Sequence, residues 1–179
     1  MKKSMLVSAA VLAIVAAAPS FAQSVPEKTG VNKALGISPK SDDFVSLAAQ
    51  SDMLEIASSK LALQKSDSAK TKSFAQKMID DHTATSTELK GLVTRGKAQV
   101  NAPSSLDKAH QDKLDKLSKL DGKDFTKQYN SLQVSAHKDA VSLFERYGKD
   151  GDNSELKVFA NKTLPHLQEH LKMAQELDK

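Results

Sequence analysis

Four long stretches of this chain repeat their apolar residues with the period of an α-helix, and none shows the alternation of a half-buried strand. At 100° per residue, Phe44, Leu47, Ala48, Leu54, Leu61 and Ala62 share one side of a helix over about 41–66. Phe74, Ala75, Met78, Leu89, Leu92 and Val93 do the same over about 67–96. A third stripe, from Phe125 through Tyr129 and Ala140 to Phe144, spans about 122–147. A fourth, from Leu156 through Leu167 to Leu177, spans about 154–178 and contains Pro165, which predicts a kink.

Each stripe also carries one ionisable side chain. These are Glu55, His82, His137 and His170, one per helix. Such groups are costly to bury unless they are paired, hydrogen-bonded or bound to a metal. Their distribution predicts a polar site inside a helix bundle. His166 stands one turn before His170 on nearly the same face and is a fifth candidate. Asp81, next to His82, is expected to point to solvent. Gln133, one turn before His137, is expected to support that histidine.

The connections set the architecture. Short turns near residues 67 and 150 join the first helix to the second and the third to the fourth. Between the hairpins runs a longer link, Lys97 to Leu120, with Pro103-Ser104-Ser105 expected to cap a short amphipathic helix. A helix of about 16 residues reaches about 24 Å, enough to run the length of a bundle. The expected fold is all-α: a ferritin-like four-helix bundle of two helical hairpins joined by a long crossover containing a short helix. A plain up-down-up-down bundle is the alternative. The first helix is expected to open at Ser38-Pro39 or Ser41-Asp42-Asp43 with a capping hydroxyl.

The N-terminus reads as a secretory signal over residues 1–22. Lys2 and Lys3 precede an apolar run from Met5 to Ala18, and Ser20-Phe21-Ala22 sets a cut between Ala22 and Gln23. The expected location is the periplasm, with no membrane span in the mature chain. Residues 23–40, with Pro26, Gly30, Gly36 and Pro39, read as a disordered linker. The bundle domain is assigned to 41–179. Removing the signal changes 26 basic and 22 acidic residues to 24 and 22. That near-balance argues against a nucleic-acid partner, which needs a clustered basic face.

Imidazole and carboxylate together suit one divalent transition metal: zinc, copper, iron or manganese. The chain has no cysteine, which excludes a thiolate site. The partner expected at Glu55, His82, His137 and His170, with His166, is therefore a metal ion or small ligand, in envelope metal handling or stress protection. Catalysis is not implied. The alternative is a non-catalytic envelope protein whose buried network only specifies the fold, with Glu55 accepting from a protonated His82.

Several stretches carry a resemblance. They are Phe44-Val45, Ala48-Ala49, Glu55-Ile56, the run Phe74-Ala75-Gln76-Lys77-Met78-Ile79-Asp80-Asp81-His82, then Tyr129, Gln133 and His137, and finally Leu164-Pro165, Leu167, His170-Leu171 and Ala174. Over about 41–178 the chain resembles an uncharacterised domain-of-unknown-function family of exported bacterial proteins. That family is often labelled outer-membrane and assigned to the ferritin-like group. The resemblance implies a helical bundle and no particular reaction. A carboxylate-bridged iron pair needs Glu-x-x-His motifs. Ile79, Val134 and Leu167 stand three residues before His82, His137 and His170, which argues against such a pair.

Overall fold

The computed structural model describes Ser24, Glu27 and residues 30–95 and 100–179. Six helices lie among them. They are α1 (Val31–Leu35), α2 (Ser41–Lys65), α3 (Ala69–Thr94), α4 (Lys108–Ser118), α5 (Gly122–Asp150) and α6 (Ser154–Leu177). The stretch read as a signal peptide lies outside the described residues. No helix among the described residues is long and apolar enough to cross a membrane.

Helices α2 and α3 pack as one hairpin and α5 and α6 as another. Helix α2 also packs on α5, and α3 on α6. The direction of the crossover follows from what meets at each end. Ser66, just after α2, pairs with Gly122 at the start of α5. The Lys65 ammonium reaches the Asp121 carboxylate there, at 2.9 Å. At the opposite end Ser41, which begins α2, bonds to Tyr147 and Asp152 where α5 turns into α6. The link from α3 to α5 therefore travels the whole bundle, and α3 and α5 run parallel. Two hairpins with a full-length crossover is the topology expected from the connection lengths. Leu117 of α4 is buried, and α4 packs on both α2 and α5.

Several local expectations change for physical reasons. Ser41 does not cap α2; its hydroxyl bonds Tyr147 and Asp152, and Asp42 and Asp43 supply negative charge in the first turn. Asp107, not Pro103-Ser104-Ser105, caps α4 by accepting from the His110 amide. Helix α5 continues past Tyr147 to Asp150, because Gly148 serves close approach rather than termination. A Cβ at Gly148 would strike the Asn161 side chain, whose amide donates to the Gly148 carbonyl at 3.0 Å. Helix α6, as expected, runs through Pro165. Within residues 23–40, Gly30 and Gly36 adopt left-handed backbone and bound the short helix α1. This segment is tied to α5, where Arg146 donates to Glu27 at 2.9 Å and to the Ile37 carbonyl at 2.6 Å.

Two apolar clusters fill the core. One joins Phe44, Val45, Leu89, Phe144, Tyr147, Leu156 and Phe159 at the end where α2 begins. The other joins Ala62, Phe74, Met78, Leu117, Phe125 and Tyr129 toward the opposite end. Glu55, His82, His137 and His170 lie between these two.

Candidate metal centre

Three histidines from three helices converge at mid-bundle. His82 of α3, His137 of α5 and His170 of α6 are each at most 2% exposed. Their ring centroids stand 5.6, 5.6 and 5.5 Å apart, close to an equilateral triangle. One ring nitrogen from each lies within 4.8 Å of the other two. A tetrahedral ion with bonds of about 2.0–2.1 Å holds its nitrogens about 3.4 Å apart, inside that limit.

Each ring is held by its other nitrogen. His82 Nδ1 bonds the Asp52 carboxylate at 2.8 Å. His137 Nδ1 donates to the Gln133 backbone carbonyl at 2.9 Å, one turn earlier on α5. His170 Nε2 bonds the Asp81 carboxylate at 2.7 Å. All three partners are oxygen acceptors, so the engaged nitrogen carries the proton. The free nitrogens are His82 Nε2, His137 Nε2 and His170 Nδ1. All three are buried without a hydrogen-bond partner. Carboxylate or carbonyl behind an imidazole, with an open nitrogen in front, is the pattern that fixes ring orientation in metal sites.

Asp52 was not singled out from the sequence. It stands a heptad after Val45 and a heptad before Ser59, both buried, so its direction was readable. It lies on the α3-facing side of α2, away from the Leu47, Leu54 and Leu61 row, where His82 meets it. The buried arc of this helix is therefore wider than the Leu47, Leu54 and Leu61 row suggested. On the other side of α2, Gln50 is covered by the crossover, bonding Ser105 and Asp107. Asp52 also accepts from Ser86 at 3.1 Å.

The other expectations divide. Asp81 does not point to solvent. It stands at the rim of the buried face of α3, on the α6 side, where it takes His170 and the Lys77 ammonium at 2.9 Å. Gln133 supports His137 as expected, but through its backbone carbonyl; its amide donates to Ser58 at 3.3 Å. Glu55 is 1% exposed, yet it is not one of the three converging groups. It does not accept from His82, whose bonded nitrogen faces Asp52 instead. Neither Glu55 oxygen has a partner of ordinary hydrogen-bond geometry, although the Gln133 amide and His82 are near enough to favour its charge. His166 is exposed. It falls just outside the arc between Phe159 and Ala160 that α6 buries, so it lines a surface cleft and does not join the cluster.

Protonation follows from these contacts. Burial pushes the Glu55 carboxyl up to about 7, with His82 only partly offsetting it. Burial works against charge on His82, but the bond and charge of Asp52, with Glu55 adding, raise it above the usual histidine value. Burial, with repulsion from His82, lowers His137 to about 3 and His170 to about 4. The metal-free cluster thus favours one proton on His82 and two neutral rings beside it. A bound cation must displace that proton.

A family model described as Domain of unknown function (DUF4142) matches residues 26–177, and the chain belongs to that family. No curated protein and no solved structure matches it.

Proposed function

We propose that this protein binds one divalent transition-metal ion at His82, His137 and His170, and works in metal handling or stress protection in the cell envelope. The observation that carries this reading is three buried histidines that bring one ring nitrogen each within 4.8 Å of one another, each with one nitrogen tied to an oxygen acceptor and the other without a partner. Unpaired buried polar groups are costly, so these atoms call for an occupant, and one metal ion would satisfy all three at once. Three nitrogens and no sulfur suit zinc, copper or iron. A fourth position remains for water, for Glu55 or for an outside ligand. When bound, such an ion supplies Lewis acidity toward that fourth ligand. The signal-like residues 1–22 support export, and the two hairpins with a full-length crossover support a place in the ferritin-like group without its paired iron.

The second reading is a structural polar core. It is favoured by the satisfied parts of the same layer, where Asp52 holds both His82 and Ser86, and Ser59 meets Tyr129 at 2.8 Å. Elemental analysis of untagged protein, followed by melts of the stripped form with added metals, separates the two. The metal reading expects near-stoichiometric metal and about 2.7 kcal/mol of stabilisation at a hundredfold excess over Kd. That gain should vanish in His137→Ala. No bound metal and no specific shift would leave the structural reading standing.

A further inference from the structure

Above the histidines a cleft of about 230 Å³ opens between α3 and α6. His82 and His170 line it, as does the half-buried Asp81. His166 stands exposed in its wall, one helical turn from His170. Glu88 of α3 and Lys162 of α6, which also line it, join across the cleft through two contacts of 2.9 Å. Two other clefts, one lined by Leu47 and Lys113 and one by Gln128 and Leu132, touch none of the three histidines.

We infer that this cleft is the route by which a divalent transition-metal ion reaches the histidine cluster, with His166 as the capturing ligand and the Glu88–Lys162 pair as a latch. The inference rests on the metal-site reading above. The three receiving nitrogens are fully buried, so an ion must shed water before it arrives. Imidazole and carboxylate are the groups that replace that water. His166, Asp81 and then His170 offer them in sequence, and His166 stands one turn, about 6 Å along α6, from His170. The unpartnered His170 Nδ1 and His82 Nε2 mark the end of the path. The latch is shallow. Both its side chains are substantially exposed, at 64% and 39%, and such pairs hold weakly.

A residue on the path, but absent from both end states, changes the rates in and out equally and leaves the equilibrium unchanged. That sets the test. Cobalt(II) uptake by the untagged, metal-free protein is followed by stopped-flow absorbance at neutral pH, and affinity is measured separately by chelator competition. His166→Ala should slow uptake on the order of tenfold at unchanged affinity. Lys162→Ala should speed it up to about fivefold. Wild-type uptake rates in both variants would overturn the route. A lowered affinity in His166→Ala would also overturn it, because His166 would then be a ligand of the resident ion. If His137→Ala binds cobalt as tightly as the wild type, the metal-site reading itself fails, and the route fails with it.

Discussion

Where Phe44, Phe144, Tyr147 and Phe159 meet, the core is apolar and its polar atoms are satisfied. Phe44 stacks on Tyr147 at 3.9 Å and meets Phe144 edge-on at 5.1 Å. The Tyr147 hydroxyl is bonded to Ser41 and Asp152. Eleven residues further along α2, about 16 Å away, the same helices bury Asp52, Glu55, Ser58, His82, Gln133, His137 and His170. Among the described residues, seven buried side-chain nitrogens and oxygens lack a partner, and six belong to this layer. One region gains stability from its side chains. The other holds groups that cost stability when nothing occupies the centre. A sequence keeps such a layer for specificity or for a ligand, not for folding energy.

The sharpest way to break this contrast is to truncate each region in turn. Phe44→Ala should cost about 3–5 kcal/mol, because it empties a fully buried aromatic site. Urea unfolding of the metal-free protein measures it. A loss under about 1 kcal/mol would mean that the aromatic end is not where stability resides.

Acid gives the next effect, and between pH 7 and 4 it should act mainly on the polar layer. His137 and His170 have folded values of about 3 and 4, below the usual histidine value of 6.5. The unfolded chain therefore binds more protons, and stability from both is whole above pH 6.5 and falls as the pH drops below it. Each contributes a slope of at most about 1.4 kcal/mol per pH unit. Glu55 opposes this between its usual 4.5 and about 7, so the net slope between pH 6.5 and 4.5 is closer to one group than two, and above 6.5 Glu55 and the raised His82 turn it the other way. Unfolding midpoints between pH 7 and 4 test it, and a flat profile would remove the buried neutral imidazoles from the account.

How much of this contrast the sequence carried depends on the kind of signal. Helix period exposed the apolar ends, because Phe44, Phe74, Phe125 and Phe159 sit in continuous stripes. Connection length exposed the crossover. Direction also put Glu55, His82, His137 and His170 inside. It could not separate Glu55 from the three histidines, because that depends on the level of one hairpin against the other, which no count along the chain contains. His166 and Asp81 show the same limit at the rim. Each lies just beyond the last buried neighbour, and only the meeting of α3 with α6 shows that Asp81 reaches His170 while His166 faces a cleft. Asp52 adds nothing to the apolar period of α2, and only the packing of α2 against α3 shows that its carboxylate meets His82.

Glu55→Gln sharpens the cost of the polar layer. A carboxyl held at about 7 in the fold and near 4.5 in the unfolded chain loses stability as pH rises through that interval. The amide keeps the shape and does not titrate. The metal-free variant should therefore match the wild type at pH 4 and exceed it by up to about 3 kcal/mol at pH 8. An equal difference at both values would mean that the carboxyl's charge is not what the fold resists.

The smallest expected effect tests whether the layer is arranged for an ion at all. Asp52→Asn keeps an oxygen to accept the His82 Nδ1 proton, so the ring stays in place, but it removes the charge behind it. If His82 only braces α2 against α3, this change should leave zinc affinity unaltered and show as a small shift in unfolding. If His82 is a ligand, the loss of its carboxylate lowers the basicity of the free nitrogen. Affinity by chelator competition should then fall about 10- to 100-fold while the fold survives. The direction is informative because the lost charge also makes His82 easier to deprotonate, which by itself would favour the metal. A tighter site in Asp52→Asn would therefore mean that proton displacement, not imidazole basicity, limits binding, and would shift the role of Asp52 from supporting the ligand to holding the cluster's proton.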